Sequence, residues 1–247
     1  MDNLHVGTIG WSYSFWKGNF YPSKLASKGF LAYYSTKFNT VEVDSTFYRI
    51  PNQQTITNWK EQTPEGFLFS LKFPRIITHI KMLNDCEDET NAFLGKVAML
   101  KEKLGCLLLQ FPPAFGIEKF SLLSDFLENL PKEHHYVVEI RNKELLNEGL
   151  YSLLKNQNAT LAWIDSPIMP QTDIVTSDFL YVRWEGDRIK VKGVLGKIEV
   201  NKEANTRLWA NKITPFLGKQ MEVFGYFGKY YSGYPPSDTN SLLSLLT

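Results

Sequence analysis

Short apolar runs alternate with longer amphipathic ones along the whole chain. Eight of the short runs are rich in β-branched, aromatic or leucine residues and have the length of strands; they fall at 6–11, 40–43, 67–73, 106–111, 136–140, 160–164, 179–184 and 222–227. Between them lie segments with helical spacing at 25–38, 55–61, 91–104, 122–130, 143–155, 204–217 and 240–246. Ser121 and Asn142 stand where N-caps of the fourth and fifth helices are expected. The gap between the sixth and seventh strands is short and contains Pro167 and Pro170, so a full helix is not expected there.

Eight strands alternating with helices predict an α/β fold with a parallel sheet, closed into a single (β/α)8 TIM-type barrel over residues 1–247. A doubly wound open sheet is the alternative. It is disfavoured because no Gly-rich strand-to-helix turn of the dinucleotide-binding kind occurs. Neither a repeat nor a linker divides the chain.

A barrel strand points alternate side chains inward. On that parity Leu68, Ser70 and Lys72 share the inner face of the third strand, Leu108 and Gln110 that of the fourth, and Val137, Glu139 and Arg141 that of the fifth. Glu42 and Asp44 pair on the second strand, Leu161, Trp163 and Asp165 on the sixth, and Tyr181, Arg183 and Glu185 on the seventh. Thr8, Gly10 and Ser12 share a face on the first. The polar member comes at the C-terminal end each time, where barrel enzymes build their sites and where an unpaired buried charge would be costly. The bland alternative is a set of ion pairs capping the core, for example Glu139 with Lys72 or Arg183.

Composition narrows the chemistry. A formal charge of +1 supplies no global field for nucleic acid or anionic lipid, so any anion affinity must be local. Cys86 and Cys106 match no metal or redox spacing and are expected to be reduced thiols. No signal-like N-terminus and no run near the roughly 20 apolar residues of a membrane span is present, so a cytoplasmic protein is expected.

Ordered motifs carry a family resemblance. They are Gly7-Thr8-Ile9-Gly10-Trp11-Ser12-Tyr13 with Trp16-Lys17-Gly18 and Phe20-Tyr21-Pro22; Thr40-Val41-Glu42-Val43-Asp44-Ser45-Thr46-Phe47-Tyr48; Lys72-Phe73-Pro74 with Thr78-His79; Lys103-Leu104-Gly105 with Leu109-Gln110-Phe111-Pro112-Pro113; Glu139-Ile140-Arg141; Asp165; and Tyr181-Val182-Arg183. In these the chain resembles the YecE-like proteins, the family called domain of unknown function 72. The resemblance implies a barrel with a polar cleft at its mouth and no established reaction. The chain departs from the family pattern at Asp44, Asn142, Glu185 and Gly228-Lys229, all expected in loops over the site.

Among the four histidines only His79 follows a strand, which argues against a His-rich zinc centre. A Mg²⁺ or Mn²⁺ site on Glu42, Glu139 and Asp165 stays open, as in a carboxylate-metal phosphodiesterase, although Lys72, Arg141 and Arg183 would neutralise those charges. Glu42 and Glu139 could also form a glycosidase pair about 5–10 Å apart, with Trp11, Trp16, Tyr13 and Tyr48 as sugar-stacking faces. An anion site is better supported, because Lys72, Arg75, His79, Arg141 and Arg183 converge and Arg grips phosphate bidentately. The expectation is therefore a metal-independent, cofactor-free enzyme for a small anionic, phosphorylated or polyhydroxylated substrate. Glu42, Glu139 and Asp165 are the catalytic candidates; Lys72, His79, Gln110, Arg141, Arg183, Trp11, Tyr13 and Tyr48 are the binding candidates. A non-catalytic metabolite or nucleic-acid binder is the alternative, with Tyr230, Tyr231 and Tyr234 as base-stacking platforms.

Overall fold

The computed structural model describes residues 3–247. Among these residues nine parallel strands carry the fold: β1 (Leu4–Thr8), β2 (Thr40–Val43), β3 (Leu68–Lys72), β4 (Leu104–Gln110), β5 (His135–Glu139), β6 (Thr160–Leu161), β7 (Trp163–Asp165), β8 (Phe179–Gly186) and β9 (Glu222–Tyr230). They form two sheets, one of order β1-β9-β8-β7 and one of order β2-β3-β4-β5-β6. The expected sixth strand is thus split between the sheets at Ala162, whose N–H donates to the Val138 carbonyl at 2.9 Å. At the other seam β1 and β2 form no ladder among the described residues; an isolated bridge joins Ile9, just past β1, to Glu42, and the Gly10 N–H donates to the Glu42 carbonyl. What the strands establish is an α/β fold of two parallel sheets; no closed barrel is detected among the described residues.

The sheets face each other across a small core of Cys106, Leu108, Val137, Ile164, Tyr181 and Tyr226. Polar bonds tie the two faces together: the Tyr226 hydroxyl on β9 meets Thr40 Oγ1 and Ser70 Oγ, each at 2.7 Å. Larger apolar clusters pack on the outer faces, one against β2 to β6 and one against the other sheet.

Helices α1 (Phe30–Tyr34), α2 (Gln53–Glu61), α3 (Glu87–Val97), α4 (Phe120–Asn129), α5 (Glu148–Asn156), α6 (Glu203–Leu217) and α7 (Pro235–Leu246) follow the expected spacing with shifted ends. The first is much shorter than 25–38, with a 3-10 turn at Ser27–Gly29 before it and Ser35 as its C-cap. The fifth is interrupted because Asn147 accepts from the Gly149 and Leu150 N–H groups and starts a new helix there. Asn142 caps only the 3-10 turn Lys143–Leu145, and Ser121 lies inside α4 rather than at its cap. Residues 166–178 contain no helix, as the prolines predict.

Two strand faces differ from the parity reading. Across the junction of β6 and β7 the inner side chains are Ala162 and Ile164, while Trp163 packs outward with Trp209 and Phe216. On the first strand Ile9, rather than Thr8, packs against the inner core. Thr8 Oγ1 instead donates to the Tyr34 hydroxyl oxygen at 3.0 Å.

Candidate functional site

The C-terminal ends of β2, β3, β4, β5 and β8 surround a cleft of about 450 Å³. Gly10, at φ +74°, turns the chain after β1 and donates to the Glu42 carbonyl, a conformation that favours glycine. That turn leaves Ile9 and Tyr13 in the cleft wall, with the Tyr13 hydroxyl donating to the Ile9 carbonyl at 2.9 Å. Gly186, at φ +71°, lets the end of β8 lie against the Tyr230 backbone, where a Cβ would meet the Tyr230 carbonyl oxygen at 2.0 Å. The chain beyond it then brings Arg188 to the rim.

Under the cleft lies a buried ion network. The Arg183 guanidinium, 2% exposed, grips Glu42 through Nε and Nη2, each at 2.9 Å, and reaches Glu139 and Glu185 through Nη1. Tyr181 donates its hydroxyl to the same Glu42 carboxylate at 2.8 Å. Arg141 donates Nε to Glu139 at 2.8 Å and Nη2 to both oxygens of Glu185 at 2.7 Å. Gln110 completes the Glu139 shell with its amide at 2.7 Å. Because the carboxylates sit on β2, β5 and the end of β8, one arginine joins both sheets.

Burial would raise the Glu139 carboxyl, yet Arg183 and then Arg141 and Lys72 outweigh it and hold the group well below the ordinary carboxylate range. Glu139 is ionised, as expected from the number of cations. Glu42 goes the other way: its burial is the largest influence and lifts it, and Arg183 recovers only part. Burial also presses His79 down to about 4, aided by Lys72, Arg141 and Arg75, so it is neutral at pH 7. Its Nδ1 shares a hydrogen bond with Thr78 Oγ1 at 2.9 Å.

Of the residues nominated from sequence, Lys72, His79, Gln110, Arg141, Arg183, Tyr13 and Tyr48 line the cleft. Glu42 and Glu139 lie fully buried beneath it and are held by arginine. Asp165 is not brought there; it faces the other way and accepts from Trp209 Nε1 on α6 at 2.7 Å. Trp11 packs edge-on against Trp59 and does not contribute to the lining. Arg183 was nominated as an anion clamp, but all three of its nitrogens are spent on carboxylates.

The lining also contains Asp44, Phe47, Glu185, Arg188, Lys229 and Tyr230. Asp44 and Glu185 were visible from strand parity, whereas Arg188 and Lys229 come from strand-end segments that periodicity does not reach. Arg75, Arg188 and Lys229 have no carboxylate within ion-pair distance among the described residues. Arg188 and Lys229 instead stand 5.1 and 5.0 Å from the Tyr230 ring centroid. Among the described residues no group of three or more His, Cys, Asp or Glu side chains is arranged to hold a metal.

Residues 5–247 match the family model described as "Protein of unknown function DUF72". The chain belongs to the DUF72 family. Two curated relatives are UPF0759 proteins: YecE of Escherichia coli K12, 33% identical over 146 residues, and YunF of Bacillus subtilis, 32% identical over 172 residues. Those alignments cover 59% and 66% of this chain but only 51% and 59% of the relatives, so the match spans little more than half of their length. A DUF72 family protein of Thermotoga maritima superposes with a TM-score of 0.84 at 25% identity, over 98% of both chains. One from Enterococcus faecalis gives 0.78 at 20% identity, over 98% of this chain and 95% of the other, and supports the fold alone. This DUF72 protein has no helix among the described residues that is long and apolar enough to cross a membrane.

Proposed function

We propose that this protein is a metal-independent enzyme acting on a small anionic substrate, phosphorylated or polyhydroxylated, bound in the cleft. The observation that carries the reading is the charge inventory of the lining. Lys72, Arg141 and Arg183 are paired with protein carboxylates, while Arg75, Arg188 and Lys229 are not. Three cations held around one concave site favour an anion, and two guanidinium groups suit phosphate. Glu42 and Glu139 then act as electrostatic anchors that fix the arginines. Proton transfer falls to neutral His79 and to Asp44, which both border the open cleft.

The finer architecture belongs to the same proposal: the two sheets act as halves of one (β/α)8-type barrel, with the cleft at its C-terminal mouth. Two features support it. Gly10 N–H reaches the Glu42 carbonyl at 2.8 Å across one seam, and β6 runs into β7 through Ala162 at the other. A second reading, a non-catalytic nucleic-acid binder, is favoured only by Tyr48, which is 77% exposed at the rim and could stack on a base.

Thermal melts in phosphate or sulfate, against chloride at matched ionic strength, test the anion reading. An anion at ten times its dissociation constant adds about 1.4 kcal/mol, which raises Tm by about 3–6 °C for a chain of this size. Arg188→Ala should lose most of that rise while melting normally in chloride. An equal rise in the variant sinks the assignment. Polynucleotide affinity that falls steeply with salt would favour the second reading.

A further inference from the structure

Lys72 is built differently from the other cations of the cleft. It ends β3 with its side chain 8% exposed, and its ammonium stands 4.0 Å from the centroid of the Phe47 ring and 3.3 Å from Asp44 Oδ1. Thr46 Oγ1 donates to the Lys72 carbonyl at 2.7 Å, which ties the Asp44–Phe47 turn to the end of β3. Arg75 and Arg188 are exposed and better suited to hold an anion at the rim. Lys72 presents a single nitrogen to the floor of the same cleft, with one carboxylate and one aromatic face beside it.

The charges around Lys72 do not simply reinforce its ammonium. Burial is the largest influence and favours the neutral amine; Arg183 adds to that, while Asp44, Glu139 and Glu42 oppose it. Its proton can pass to Asp44, 39% exposed on its side chain and within reach. His79 lies edge-on to the same Phe47 ring, with centroids 4.8 Å apart. A desolvated amine beside a proton carrier, at the floor of a cleft rimmed by free cations, is the arrangement that carbonyl chemistry by lysine requires.

We propose that Lys72 is an imine-forming catalytic lysine, and that the substrates of the cleft are small aldehydes or ketones carrying a phosphate or carboxylate group. This rests on the anion-binding reading and narrows it. Asp44 first takes one ammonium proton, and the freed lone pair of Nζ forms the C–N bond while the carbonyl π pair moves to oxygen. Asp44 relays two of the three ammonium protons to that oxygen in turn, and it departs as water. One proton remains on nitrogen, so the protonated imine keeps the single positive charge of the original ammonium. The conversion consumes no oxidant or reductant.

Pyridoxal 5′-phosphate, an aldehyde with a phosphate group, is a direct probe. The wild-type protein is incubated with a slight excess at pH 7, reduced with borohydride and mapped by peptide mass spectrometry. A lowered amine pKa leaves more free amine at neutral pH, and the rim cations hold the phosphate of the probe beside Lys72. Lys72 is therefore expected to carry the dominant adduct, labelled faster than any other lysine. Inorganic phosphate should slow the labelling, and pyridoxal, which lacks the phosphate, should label Lys72 more weakly. Lys72→Arg should abolish the dominant adduct while the phosphate-induced rise in Tm remains. Labelling centred on Lys229, or spread over surface lysines, overturns the proposal for Lys72. If phosphate still raises Tm in that case, the anion reading survives; if it does not, both fail.

Discussion

Replacing Arg183 with methionine is expected to destabilise the protein by about 3–5 kcal/mol at pH 7.5, the cost of leaving the buried Glu42 carboxylate without its counter-charge. Glu42 and Glu139 are both inaccessible to water, and Arg183 touches each of them and Glu185. Methionine fills much of the volume, so packing alone would predict a small loss. The pH dependence separates the two causes. In the wild type Glu139 titrates below its unfolded value, so its contribution is present above about pH 4.3 and is lost as pH falls through the folded value. In the variant Glu139 keeps Arg141, whereas Glu42 loses its guanidinium partner and burial lifts it further. The Glu42 penalty is then absent below about pH 4.3 and grows as pH rises. Denaturant unfolding at pH 7.5 and 4.5 should show the gap between variant and wild type narrowing on acidification. A gap that stays constant, or a loss under about 1 kcal/mol, would mean the network carries little energy.

Asp238→Asn should do the reverse and stabilise the protein by about 2–4 kcal/mol at pH 8. Asp238 sits in the first turn of α7, 5% exposed, and its Oδ2 accepts from Ser232 Oγ at 2.6 Å. A helix N-terminus favours a carboxylate by about 0.3–1 kcal/mol, too little to balance its burial. Burial lifts the carboxyl to about 7, with Ser232 and Lys202 recovering only part. A folded value above the unfolded one means stability that is complete below about pH 4 and lost as pH rises through about 7. Asparagine keeps the shape without the titration. The two proteins should therefore melt alike at pH 4 and diverge progressively by pH 8; parallel curves over that interval would falsify the assignment.

Much of this was legible in the residues. Strands β2 to β5 and β8 alternate polar and apolar side chains at their ends, so Glu42, Lys72, Gln110, Glu139 and Arg183 could be placed on one side correctly. The reading failed on the sixth strand for a physical reason. Leu161, Ala162, Trp163 and Ile164 are apolar on both faces because both are buried, so no alternation shows which face Asp165 follows. Trp11 looked like a sugar platform by its place after β1, but the positive φ at Gly10 redirects the chain and sends it against Trp59. Both arginines of the buried network were visible, and so was the possibility that they cap the core. That a single guanidinium holds two of the three carboxylates nominated for catalysis, Glu42 and Glu139, depends on side-chain reach between sheets, which no local pattern carries. The free cations Arg188 and Lys229 stand outside any period; Lys229 was flagged only through the family resemblance, as part of a loop over the site, and Arg188 had no signal to find it.

The central claim is that Arg75, Arg188 and Lys229 form an uncompensated anion site. Calorimetric titration with inorganic phosphate, on the wild type and on the Arg75→Ala/Arg188→Ala double variant, addresses it most directly. A hydrogen bond to a charged group contributes about 1.5–3 kcal/mol, so losing even one guanidinium contact should weaken binding about tenfold or more. The account predicts one saturable site per chain in the wild type and at least that loss in the double variant, with both proteins melting alike in chloride. Equal phosphate affinity in the two proteins, or no saturable heat in the wild type, would contradict it.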